Sequence, residues 1–490
     1  MDRQIRRLGF VLVVLFAILF AQLNWIQVFG ASRLRNNPAN FRLLIEEYNV
    51  DRGEILARDL RTVLARSFPT KGRLKFLRRY PQGSEYADVT GYYSLVFGRS
   101  GLEQSYNDFL GAHAGELFGS TIEDDILNRP RRGATVVTTI DPTIQDAAVA
   151  ALSGRPGAVA ALNPRTGEVL ALAANPSFDP NTLSSHDPKA IKAAWKRLIA
   201  DPSKPLLSNA TEQIYAPGST FKLIDTAAAL ESGMTPQTTF PNPAELDLPQ
   251  TTHNLQNFGG EHCLGGAPTI TLAQALTISC DVTFAALGLR LGGDLLAAQA
   301  EKFGFNGDIP FDVPFHTGRF PDPSVFANAL PNLAFSAIGQ YDVAANPLQM
   351  ALVAAAIANG GVEMRPQLVK EIRDPDGGVI RSFHPEAWGR PISPQTAATM
   401  TQMMESVVRE GTGTPAQIPG VSIAGKTGTA QVPGAPPHVW FVAFAPAENP
   451  RVAVAVVLLE GGGVGSEATG GIVAGPVAKQ VIEAALGRSG

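Results

Sequence analysis

Charge of either sign is scarce in this chain. Its 490 residues carry 40 lysines and arginines against 44 aspartates and glutamates, 17% in all, and the formal charge is −4. No basic block or nucleic-acid module appears, so nucleic acid is not an expected partner. Cysteine is scarcer: Cys263 and Cys280 are the two in the chain. His262 adjoins Cys263, but that adjacency lacks the paired spacings of a zinc site, and neither a metal nor another cofactor is expected. No internal repeat is visible. Against these shortages stands a hydrophobic content of 45%, enough for two or three domains with sizeable cores and too much for wholesale disorder. The 48 glycines and 37 prolines imply many turns and long surface connections rather than a helical bundle.

The first 30 residues depart from this average. Residues 1–7 carry Arg3, Arg6 and Arg7 against Asp2, and residues 8–30 then hold no charged side chain. A helix needs roughly 20 apolar residues to cross about 30 Å of hydrocarbon. A cleaved signal peptide would have a shorter apolar region, of about 7–15 residues, and a small-residue cleavage site. The run is longer and no A-x-A follows, so a retained anchor is expected over 8–30, with a cytoplasmic tail at 1–7. The early arginines place the N-terminus inside and the rest of the chain outside, although Arg33 and Arg35 reduce the asymmetry. In that external compartment a Cys263–Cys280 disulfide would persist, and it is the favoured state of the two thiols.

Beyond the anchor, residues 31–150 are polar and turn-rich, punctuated by Y-P-Q-G at 80–83 and by Gly91, Gly98 and Gly101. A-T-V-V-T-T-I at 134–140 reads as a strand, and Asp141-Pro142 opens a helix over 143–152. From 151 the pattern becomes mixed α and β. Apolar strands at 157–162 and 168–174 flank the turn N-P-R-T-G. Helical patterns follow at 219–232, 272–291 and 346–359, then strands at 421–432, 439–445 and 451–460, and a final helix over about 470–486. Two early strands and three late ones predict one antiparallel sheet with central helices drawn from the middle of the chain.

Three short motifs bear on chemistry. In Y-A-P-G-S-T-F-K, residues 215–222, Ser219 would begin a helix, and the i,i+3 spacing sets its hydroxyl on the same face as the Lys222 amine. An unassisted serine hydroxyl is a weak nucleophile, and a lysine desolvated in a cleft can serve as its base. Backbone N–H groups at the helix start would favour developing negative charge. An isolated S-x-x-K is more often a capping serine beside a surface lysine. This one is the single S-x-x-K in the chain and sits among Phe221, Leu223, Ile224 and Ala228, which a buried helix would carry. Ser279-Cys280-Asp281 means nothing alone. In A-G-K-T-G-T-A-Q, residues 424–431, Lys426 would point from a strand into a cleft and Gly428 would admit a substrate backbone. Thr427 and Thr429 would then bond a carboxylate that Lys426 attracts. The plain alternative is an edge strand guarded by a lysine. The order decides between them: S-x-x-K, then S-x-[ND], then K-T-G is the signature of penicillin-binding proteins and class A β-lactamases.

On these motifs the chain resembles the class B penicillin-binding proteins, most closely their short actinobacterial members. R-G-E-I-L-A at 52–57, G-L-E at 101–103 and T-T-I-D at 138–141 match the family's N-terminal module. P-R-T-G-E-V-L-A-L at 164–172, S-A-I-G-Q at 336–340 and P-L-Q-M-A at 347–351 match its catalytic domain. The resemblance implies an α+β transpeptidase fold like that of serine β-lactamases: a five-stranded antiparallel sheet flanked by helices over residues 151–490. An elongated N-terminal pedestal over 31–150 and one transmembrane helix would complete it. It implies a peptidoglycan D,D-transpeptidase working in cell division or cell-wall growth. Ser219 would be acylated, Lys222 its base and Ser279 a proton relay. Lys426, Thr427, Gly428 and Thr429 would hold the carboxylate of a D-Ala-D-Ala stem peptide, with the N–H groups of Ser219 and Thr429 as the oxyanion hole. β-Lactams would be covalent inhibitors, and glycan-polymerising and division proteins the partners, because a pedestal of about a hundred residues leaves no room for a glycosyltransferase. Other readings of the same motifs are a D,D-carboxypeptidase and a division scaffold with the character of a β-lactam receptor.

Two departures matter. Asp281 stands where most of the family has asparagine; a carboxylate accepts hydrogen bonds but does not donate them, and near Lys222 it would favour the ammonium. The E-x-x-L-N motif that brings deacylating water to class A β-lactamases is absent between Asp281 and Lys426. Glu301, Glu363, Glu371, Glu386, Glu405 and Glu410 all lack its context.

Overall fold

Five apolar strands form the centre of the protein. A computed structural model describes residues 2–25 and 45–488. In it Ala424–Val432, Ala435–Ala445, Val452–Leu458, Gly157–Leu162 and Val169–Asn175 lie side by side in that spatial order, every neighbouring pair antiparallel. Successive residues of a strand face opposite ways, and here both sets are apolar because helices cover both faces. Trp440, Val442, Phe444, Ala453, Ala455 and Val457 pack with the helix Pro347–Ala358. Their alternates Val439, Phe441, Ala443, Val452, Val454 and Val456 pack with Pro142–Leu152 and Gly475–Ala485.

The strand expected from 439 begins four residues earlier, at Ala435. Pro436 and Pro437 read as a loop, yet they are tolerated: pairing with Val452–Leu458 starts only at Val439, so this end is bonded on one side. A larger correction concerns 272–291, which reads as one helix and is two, Leu272–Thr277 and Asp281–Leu291. Ser279 stands between them with φ 63°, a left-handed conformation that no continuous helix accommodates. Cys280, next to it, is joined by a disulfide to Cys263.

A second, six-stranded sheet builds the pedestal, in the order Val379–Ser382, Val369–Arg373, Thr135–Thr138, Ile55–Leu56, Val63–Pro69, Phe76–Arg79. Two of its strands come from far along the chain, so the pedestal and the catalytic unit share this sheet. Beneath it Glu103, fully buried, receives hydrogen bonds from Arg52 Nε and Arg78 Nε at 2.6 Å each and from Tyr80 Oη at 3.1 Å.

At the N-terminus Asp2–Trp25 is one helix of 24 residues. Among the residues described with their side chains, no helix is long and apolar enough to cross a membrane; the unbroken described stretch of this helix is 3–20, which includes three arginines. The end of the expected anchor at 26–30, Arg33, Arg35 and the pedestal residues up to 44 lie outside the described residues.

Candidate active site

The strand Ala424–Val432 is an edge of the central sheet, and the turn before the helix Lys222–Glu231 lies against it. That turn, Gly218–Thr220, is 3-10 rather than α, so the helix proper starts three residues after Ser219. Close backbone approach fixes it in place. Gly218 N–H donates to Gly339 O at 3.0 Å, and a Cβ on Gly339, whose φ is +71°, would stand 2.1 Å from Gly218 O. A Cβ on Gly428 would stand 2.7 Å from Pro217 O and 2.9 Å from Thr220 Cγ2. Trp440 Nε1 donates to Ala216 O at 2.9 Å from the neighbouring strand. The loop carrying Ser219 is therefore clamped between the sheet edge and the S-A-I-G-Q segment.

Ser219, Lys222, Ser279, Asp281 and Lys426 converge here. Lys222 Nζ donates to Asp281 Oδ1 at 2.7 Å and to Ser279 O at 2.8 Å, with Ser279 Oγ at 3.4 Å. Ser219 Oγ donates to the same Oδ1 of Asp281 at 3.4 Å. Lys426 Nζ donates to Ser279 Oγ at 2.8 Å and to Thr427 O at 2.9 Å. Ser279 thus lies between the two lysines, and its left-handed backbone turns both its carbonyl and its hydroxyl toward them. Asp281 Oδ2 accepts from Phe258 N–H at 3.1 Å.

Both lysines are fully buried. Burial pulls the Lys222 ammonium below the usual lysine range, and the Asp281 carboxylate is the largest influence opposing it. Burial pulls Lys426 down much further, and the nearby Lys222 charge adds to the effect. One turn along, Asp225 is buried with no partner among the described residues for either oxygen, and burial holds its carboxyl well above the usual range.

Ser219, Ser279, Asp281, Thr427 and Thr429 line a cleft of about 1510 Å³. Thr427 Oγ1 shares a hydrogen bond with Thr412 Oγ1 at 2.7 Å, and Thr429 Oγ1 accepts from Gly470 N–H at 3.3 Å. One wall is the loop that the Cys263–Cys280 disulfide ties beside Ser279, and Asn257 steadies it by accepting from Val282 N–H at 3.1 Å and donating to Glu261 O at 2.8 Å. His262, also in the wall, is hydrogen-bonded to Asn242 O at 2.7 Å. Among the described residues no group of three metal-ligating side chains occurs. None of Glu301, Glu363, Glu371, Glu386, Glu405 and Glu410 lines the cleft. Sequence reasoning does not find Thr412, Asn257 or the Phe258 N–H; the glycine-punctuated G-T-G-T at 411–414 is a signal for the first, and none exists for the others.

The chain matches two family descriptions: "Penicillin binding protein transpeptidase domain" over residues 157–483 and "Penicillin binding protein A dimerisation domain" over 52–136. It is 44% identical over 496 residues to the peptidoglycan D,D-transpeptidase PbpA of Mycolicibacterium smegmatis, covering 99% of both chains. The protein of that name from Mycobacterium tuberculosis is 42% identical over 502 residues, again covering 99% of each. Among solved structures, penicillin-binding protein A of M. tuberculosis in a ceftriaxone acyl-enzyme complex superposes with a TM-score of 0.86 at 41% identity, over 90% of this chain and all of that one. Its penicillin G acyl-enzyme complex gives 0.81 at 42%, over 89% and all of that chain.

Proposed function

Because this chain belongs to the penicillin-binding protein transpeptidase family, we propose that it is a peptidoglycan D,D-transpeptidase in which Ser219 carries the acyl group. The observation that carries the reading is the convergence of Ser219, Ser279 and Asp281, which line the cleft, with the buried Lys222 and Lys426 around shared atoms. Ser219 Oγ attacks the carbonyl carbon of the penultimate D-Ala while its proton passes to Lys222 Nζ, whose burial favours the neutral amine. The N–H groups of Ser219 and Thr429 take the oxyanion, a donor of this kind being worth about 2.7–4 kcal/mol. Collapse of the intermediate breaks the peptide bond. The departing D-Ala amine takes a proton from Ser279 Oγ, which Lys222 and Lys426 replenish through the bonds they already donate. An amine of a neighbouring stem peptide then attacks the ester, gives up a proton and releases Ser219.

Lys426 has a distinct part in this scheme. Burial, with the nearby Lys222 charge, disfavours its ammonium, and the terminal carboxylate of a stem peptide, held by Thr427 and Thr429 across Gly428, would restore it. None of the glutamates of 301–410 lines the cleft, and the Asp281 carboxylate near Ser219 is already engaged by Lys222; both support a long-lived penicilloyl adduct.

The same reading assigns 8–30 to a membrane anchor, 31–150 to a pedestal and 151–490 to the transpeptidase unit. It places the catalytic unit outside the cytoplasmic membrane, in cell division or wall growth beside a separate glycan polymerase. Support for the anchor comes from the N-terminal helix, whose Phe10, Phe16 and Phe20 are about 70% exposed, as lipid-facing side chains are. The test of function is muropeptide analysis after incubating the full chain with uncross-linked glycan made by a separate polymerase. D,D-cross-linked dimers, absent with Ser219→Ala, support transpeptidation. Trimmed monomers alone would assign a carboxypeptidase instead.

A further inference from the structure

A second cavity, of about 410 Å³, opens between the pedestal and the catalytic unit and shares no lining residue with the cleft at Ser219. Its walls come from three stretches of chain, within 87–101, 178–212 and 313–314. The size suits a small organic molecule, and junctions between units are where such sites form. Three aromatic rings are held in it. Tyr92 meets Phe178 and Trp195 edge-on, at 6.1 Å between centroids in both cases. Trp195 is stacked on Phe97 at 4.2 Å, so a neighbouring ring sets its orientation in advance of any occupant.

Two carboxylates, Asp88 and Glu212, lie in the same lining. Glu212 Oε2 accepts from Ser208 N–H at 3.0 Å, which holds that side chain in the wall. Burial pushes Asp88 up to about 6 although Ser208 and the Ala174 N–H hydrogen-bond to it, the nearby Glu212 charge adding to the rise, and burial also raises Glu212. Lys204 is the one basic side chain in the lining and stands exposed. A neutral occupant would leave the two desolvated carboxylates without a counter-charge, and an anion would be repelled. An ammonium would supply that counter-charge and be attracted by the ring faces besides.

We propose that this cavity is a binding site for a soluble organic amine, its apolar stem among Tyr92, Phe178 and Trp195 and its ammonium toward Asp88 and Glu212.

The test compares 4-phenylbutylamine with 4-phenylbutanol, titrated into the full chain in detergent and followed by tryptophan fluorescence and ligand-observed NMR. The amine should bind about tenfold more tightly than the alcohol. In the double variant Asp88→Asn/Glu212→Gln that preference should fall below about twofold with the alcohol unaffected, and Trp195→Ala should weaken both ligands. Undiminished penicillin labelling of Ser219 verifies that each variant is folded. If Asp88→Asn does not fold, Glu212→Gln alone must reduce the preference. Equal affinity of the two ligands for the unmodified chain, or a preference for the amine that survives removal of the carboxylates, overturns the proposal.

Discussion

One oxygen, Oδ1 of Asp281, lies 2.7 Å from Lys222 Nζ and 3.4 Å from Ser219 Oγ, so the carboxylate stabilises the Lys222 ammonium beside the Ser219 hydroxyl. Burial works the other way, and burial prevails. Asp281→Asn keeps an acceptor oxygen and removes the charge, so the folded-state pKa of Lys222 falls further. A base with a lower pKa is neutral down to a lower pH. The acidic limb of the pH profile for Ser219 acylation should therefore move to lower pH in this variant, measured as the second-order rate with a fluorescent penicillin. A limb that stays in place would mean that Lys222 is not the group titrating. Loss of acylation at every pH would give the carboxylate itself an essential part. Much of this site is legible in the sequence because i,i+3 spacing on a helix and a K-T-G on a strand are local patterns. Asn257 and the Phe258 N–H are not legible, since they reach the site from a segment with no chemical mark of its own.

Among the elements, the break at Ser279 is the feature the sequence conceals. The apolar pattern runs on from Leu276 through Ile278 to Val282 with no glycine or proline to interrupt it. Tertiary ties impose the turn: the disulfide at Cys280, and the lysines that bond the Ser279 carbonyl and hydroxyl. The interior strands Gly157–Leu162 and Val452–Leu458 are readable to within a residue or two because their neighbours on both sides enforce the apolar run. A different element sets a pH dependence of stability. The two-residue strand Glu363–Met364 buries Glu363, whose carboxylate oxygens have no partner among the described residues, and burial pushes its carboxyl up to about 8. Between the unfolded value, about 4.3, and 8 the folded state holds a proton that the unfolded state has lost, so stability falls as pH rises through that window. Glu363→Gln should remove the slope. Urea unfolding at pH 5 and pH 8 should show a difference smaller by a few kcal/mol in the variant, on the order set by about 1.4 kcal/mol per pH unit. An unchanged difference would mean that the carboxyl is hydrated in the folded protein.

On the scale of the whole molecule, the pedestal is tied into the catalytic unit by the strands Val369–Arg373 and Val379–Ser382, which complete its six-stranded sheet. That sharing is hidden in the sequence, where these strands follow a helix of the central sheet and have no local partner beyond their own hairpin. The R-G-E and G-L-E motifs are legible as family marks, and the structure supplies their physical reason: Glu103 is the shared ion-pair partner of two buried arginines. Glu103→Ala leaves Arg52 and Arg78 buried without a counter-charge, which should cost about 3–5 kcal/mol. Calorimetry should show the loss as a lower Tm for the whole chain, with Ser219 still labelled by penicillin at temperatures where the variant is folded. A loss below about 1 kcal/mol would mean that water reaches the cluster.

The most direct measurement is mass spectrometry of the full chain after reaction with fluorescent penicillin, beside a folded Ser219→Ala control. One adduct is expected, on Ser219, absent from the control and persisting for far longer than seconds, because no glutamate of 301–410 lines the cleft to activate water. An adduct on another residue, turnover within seconds, or no adduct on folded protein would contradict it.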